Sequence, residues 1–170
     1  MDDKNFEAML AAYIEKEKRR LSFRVIGGGM GGLMGAAAYT PPLVIDEINF
    51  LQLQEENKGE TFSEMLMRFI RESGEKNSAI YNRANIDRRH FSKICTHKDD
   101  KPSKQTVFAF ALALKLDFDK TQRFLASAGY TLNKTILSDM IVSFFIEYKI
   151  FDVDLANQAL YKYDQPLLGG

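Results

Sequence analysis

Asn77-Ser78-Ala79-Ile80-Tyr81-Asn82-Arg83-Ala84-Asn85-Ile86-Asp87-Arg88-Arg89-His90-Phe91-Ser92-Lys93-Ile94-Cys95-Thr96-His97 holds two short runs of helix-forming residues on either side of a turn signal. Asn77 is of a type that caps a helix, here one running to Arg83. Asn85 tolerates the left-handed backbone that a tight turn between two helices needs. Asp87 is placed to cap a second helix reaching about His97. The expectation is two short helices around a sharp turn, with Arg88, Arg89 and His90 in the first turn of the second and Lys93 one turn later.

Working outward, Phe62, Leu66, Phe69 and Ile70 repeat at helical spacing, and Gly74 is a suitable stop for that helix. Residues 98–102 form a polar loop. Ser103 caps a helix in which Val107, Phe108, Ala111, Leu112 and Leu114 leave almost no polar face, the pattern of a central, buried helix. Further helices are expected over 119–128, ended by Gly129, over 133–149 with Ile141, Val142, Phe144, Phe145 and Ile146, and over 152–163. At the other end, Phe6, Met9, Leu10, Tyr13 and Ile14 form one stripe of an amphipathic helix over 6–20. Residues 15–20, all charged, are placed on its exposed side. Six glycines crowd residues 27–35, and Thr40-Pro41-Pro42 stops whatever precedes it. Residues 43–53 are apolar and 54–60 polar. The domain boundary falls there: an N-terminal helix and Gly-rich apolar arm over 1–58, and a helical domain over 59–170, with a core at 61–131 and C-terminal helices over 132–165. Strand-like alternation is nearly absent, so the class is all-α.

The chain has 23 basic and 23 acidic residues and no net charge, which argues against a bulk polyanion binder. The charge is unevenly placed, however. Residues 61–134 carry 14 basic and 8 acidic side chains, and both flanks are net acidic. An electrostatic partner is therefore met by a local patch. A single cysteine, Cys95, fits a reducing, cytoplasmic setting. The first residues are acidic and polar, unlike a secretory signal, and no apolar run reaches the ~18 residues of a membrane span.

Residues 61–131 resemble the helix-turn-helix domain of the Cro and phage-repressor (XRE-type) family. The resemblance rests on Ile80, Ala84, Asn85, Ile86, Phe91, Ser92 and Ile94. It also rests on Pro102-Ser103 leading into Val107 and Ala111-Leu112-Ala113-Leu114, and on Leu116, Asp119 and Phe124. It implies a Cro/repressor-like bundle carrying extra C-terminal helices, and a DNA-binding regulator whose second helix enters the major groove. On that reading Arg88, Arg89, His90 and Lys93 read base edges, while Asn77, Ser78, Lys98, Lys101 and Lys104 hold phosphates. Between Arg83 and Lys104 there are seven basic and three acidic residues, enough to attract a duplex locally. Five positions depart from the family's pattern. Tyr81 stands where a small residue is usual, Asn85 replaces the turn glycine, Asn77 replaces a glutamine, and Asp99-Asp100 bring negative charge near the expected backbone. Residues 61–170 also resemble a helical module fused behind macro domains and other bacterial catalytic domains, which implies a portable tail in phage-linked or stress-response operons. The alternative function is protein association, to itself or another protein, through residues 25–53 and the C-terminal helices.

Other signals point to little chemistry. Gly27, Gly29 and Gly32 fit G-x-G-x-x-G, but Pro41-Pro42 cuts the following helix short and no βαβ series follows. The same segment suits a linker or an oligomer-packing element. His90, Cys95 and His97 lack a fourth ligand for zinc. No catalytic constellation is present, so neither enzyme activity nor a cofactor is expected. Leu168-Gly169-Gly170 resembles a ubiquitin-like tail in its residues alone and is expected to be a frayed end.

Overall fold

Lys104–Ala113 is the helix around which the others are arranged, and it is buried almost all round, from Thr106 through Ala113. In the computed structural model residues 3–26, 60–96 and 101–170 are described. The Gly-rich stretch 27–35, the apolar stretch 43–53 and residues 97–100, with His97, Lys98, Asp99 and Asp100, lie outside the described residues. Within them the chain is all-helical, with no strand. The order is α1 (Asp3–Ile26), α2 (Phe62–Ser73), α3 (Asn77–Arg83), α4 (Arg88–Thr96), α5 (Lys104–Ala113), α6 (Phe118–Ser127), α7 (Leu137–Glu147) and α8 (Val153–Lys162). No helix among the described residues is long and apolar enough to cross a membrane.

Local chemistry sets most of the helix ends. Thr61 and Glu64 form a reciprocal capping box at the start of α2, and Gly74 closes it in the left-handed conformation at φ +70°. Ser103 accepts from the Thr106 amide, Asp117 from Lys120 and Asp152 from Leu155. Several expected boundaries move; α1, for one, runs over Asp3–Ile26 rather than 6–20. Lys76, not Asn77, precedes α3, and no side chain caps that helix. α6 begins at Phe118 because Asp117 rather than Asp119 is its cap. α7 begins at Leu137, not Asn133, because the Asn133 side chain accepts from the Thr135 amide (2.9 Å) and turns the chain away from helix.

α5 packs against α3, α6, α7 and α8, while α2 lies against α4 and α6. Phe62 stacks on Phe124, with ring centroids 4.6 Å apart, and joins α2 to α6. α1 lies along α7: Phe6 meets Phe144 and Phe145 at 5.8 and 5.6 Å, and Tyr13 meets Phe144 at 5.4 Å. The helix assigned by sequence to the N-terminal arm thus shares the core of the domain. Glu17, expected on the exposed side of α1, is buried instead. Its carboxylate faces Arg20 at 3.7 Å and Lys134 at 3.9 Å. The last residues are not frayed either. Leu168 is buried, and its backbone is hydrogen-bonded to Asn157.

Candidate nucleic-acid interface

The turn between α3 and α4 is held from several sides. Asn85 has φ +54°, as its residue type allows, and its amide donates to Asp154 of α8 at 2.6 Å. Ile86 is buried beside it. The Arg83 guanidinium forms two bonds to Glu75, at 3.0 and 2.5 Å, and a third to the Ala113 carbonyl at 2.8 Å, tying α3 to the end of α5. Asp87 accepts from the Arg89 and His90 amides at 2.7 and 2.9 Å. These two bonds, His90 first, hold its carboxyl below the usual range and keep it ionised as the cap of α4.

At about 100° per residue, Phe91 and Ile94 define the inward side of α4, and both are buried. Arg88, Arg89, Ser92, Lys93 and Thr96 are exposed. Lys93 also makes an intramolecular interaction, so it does not stand apart from the fold. His90 is half-buried on the flank of the helix, where its ring lies against Gly170. Among the four expected base-reading residues, Arg88, Arg89 and Lys93 share the open face and His90 does not.

The expected phosphate set divides as well. Asn77 and Ser78 are exposed at the start of α3 and line a groove of about 670 Å³ together with Lys76, Tyr81 and Arg88. Lys101 is exposed beside Gly129. Lys104 turns inward: its ammonium is bonded to the buried Asp139, which also accepts from the Asn133 amide at 2.7 Å. Lys98 lies outside the described residues. Within the seven-cation segment, Arg83 and Lys104 are therefore neutralised by Glu75 and Asp139.

The structure shows how Tyr81 fits a position where a small residue was expected. Its ring leans on Phe91 with centroids 5.2 Å apart, so the two helices are joined through a pair of rings. Cys95 sits next to it with its thiol 3.8 Å from the Met67 sulfur, and burial pushes that thiol up, keeping it protonated. No group of three or more His, Cys, Asp or Glu side chains able to hold a metal occurs among the described residues. Sequence reasoning missed Asn157, Thr106 and residues 168–170 as neighbours of this region. The only signal for them was a leucine followed by two glycines. In comparisons with family models, curated proteins and solved structures, nothing matches the chain.

Proposed function

We propose that the chain binds double-stranded DNA through α4 and acts as a dimeric transcription regulator of helix-turn-helix type. The observation that carries this reading is the pair Arg88 and Arg89. Both are exposed in the first turn of a helix whose opposite side is locked into the core and whose start is fixed by Asp87. A helix held in that way presents its first turn to a major groove, where arginine donates two hydrogen bonds to guanine O6 and N7. On this reading Asn77, Ser78 and Lys76, which line a groove with Arg88, meet phosphates, and the exposed Lys101 adds a further contact. Lys93 continues the base-reading face, while His90, Arg83 and Lys104 serve the fold.

The test is a duplex selected from a randomised pool on the full-length protein, followed by anisotropy titration. R88A/R89A is expected to lose specific binding while unfolding at the same temperature as the parent. Unchanged affinity in a folded double variant would remove α4 as the reading element.

A second reading is protein association through the C-terminal helices. It is favoured by Tyr161 and Leu167, which are 78% and 51% exposed. Light scattering of Tyr161→Ser and Leu167→Ser separates the two. Loss of an assembly without loss of DNA affinity marks this face as the association surface.

A further inference from the structure

Residues 165–170 leave the end of α8 and return to the turn between α3 and α4. Their contacts are those of a ligand in a built site. The Leu168 side chain is buried. The Asn157 carboxamide reads both backbone groups of that residue, donating to its carbonyl at 3.1 Å and accepting from its amide at 2.7 Å. Thr106 of α5 donates to the Gly169 carbonyl at 3.1 Å. Gly169 has φ +118°, and a Cβ there would lie 2.9 Å from the Asn85 carbonyl oxygen. A Cβ on Gly170 would run into the His90 ring. Four elements thus supply the walls: Asn157 from α8, Thr106 from α5, Asn85 from the turn and His90 from α4. They accept one apolar side chain and then two residues with none.

We propose that this cleft is a peptide-binding site selective for a Leu-Gly-Gly segment that bends at the leucine, and that residues 168–170 of the chain are the ligand seated in it. Selectivity has two sources. Hydrogen bonds from Asn157 and Thr106 to the main chain fix the bent path at Leu168 and Gly169. The positive φ and the Asn85 backbone wall restrict the first of the two positions to glycine, and the His90 ring occupies the space a side chain would take at the second. The ligand is tethered a few residues beyond α8, so its effective concentration is high and it excludes the same sequence in solution. The inference does not depend on DNA binding.

The experiment unseats the segment without touching the walls. Full-length Gly169→Val is expected to keep its helical circular dichroism, to lose hydrogen-exchange protection at the Leu168 amide, and to bind a fluorescent Gln-Pro-Leu-Leu-Gly-Gly peptide. The parent should bind that peptide at least ~100-fold more weakly, because its own segment competes. A peptide with valine at the first glycine should not bind either protein. Leu168→Asp unseats the same segment by a different route and carries the same test if Gly169→Val loses its fold. The proposal is overturned if Leu168 stays protected in a folded variant, if the emptied cleft ignores the Gly-Gly peptide, or if it takes the valine peptide equally well. Unfolding of both variants overturns it too, since the segment would then be core and not ligand.

Discussion

Lys104 and Asp139 show why an exposed-looking lysine in a basic segment need not face a partner. Asp139 is 1% exposed, and its carboxylate is satisfied by the Lys104 ammonium and the Asn133 amide. Removing one partner of such a pair strands a buried charge. Lys104→Met is therefore expected to cost about 3 kcal/mol in urea unfolding, with no effect on DNA affinity beyond loss of folded protein. Tyr13 makes a second residue-scale prediction. Burial, then its 2.9 Å hydrogen bond to Glu147, pushes its phenol well above the usual range. A raised pKa means a contribution fully present below the unfolded value, about 10, and lost progressively as pH rises beyond it. Stability should fall above pH ~10, and Tyr13→Phe should flatten that limb. The Asp87 cap runs the other way. Its lowered pKa stabilises α4 above about pH 4, and that contribution is lost as pH falls. In Asp87→Ala the Arg89 and His90 amides should exchange faster at neutral pH, with no further acceleration on acidification.

At the scale of elements, α1 and α7 form one unit. Phe6, Leu10, Tyr13 and Ile14 are buried against a helix whose residues from Asp139 to Ile146 are buried in turn. Leu10→Ala should cost about 3 kcal/mol, and α1 and α7 should lose exchange protection together. The helices themselves were legible in the sequence because their signals are local. Gly74, Ser103, Asp152 and the 3.6-residue apolar period each act within a turn or two. The displaced boundaries arose where two local signals competed. Asn133 had cap chemistry but spent it on a turn, and Asp117 caps its helix two residues before the expected start at 119. What the sequence could not reveal was long-range pairing. The burial of Glu17 depends on Lys134, the inward turn of Lys104 on Asp139, and the clasp on Leu168 on Asn157. The position of His90 on α4 was predictable in register. Its covering by residues 168–170 was not, since nothing local to either segment announces the other.

At the scale of the molecule, neutral net charge means that the proposed DNA binding would have to come from one face. Glu75 and Asp139 remove two cations from the segment richest in them, and Arg88, Arg89, Lys93 and Lys101 are its exposed cations among the described residues. So few exposed cations predict a shallow salt dependence. Each phosphate contact contributes about −0.9 to the slope of log K against log salt, so a few contacts give a slope of only a few. The most direct measurement is that slope on a selected duplex, for the full-length protein and for R88A/R89A. Saturable binding by the parent, weakening linearly on this scale, and loss of discrimination between selected and random duplex in the variant are expected. Absence of binding to any duplex at low salt, or equal discrimination by both proteins, would contradict this expectation.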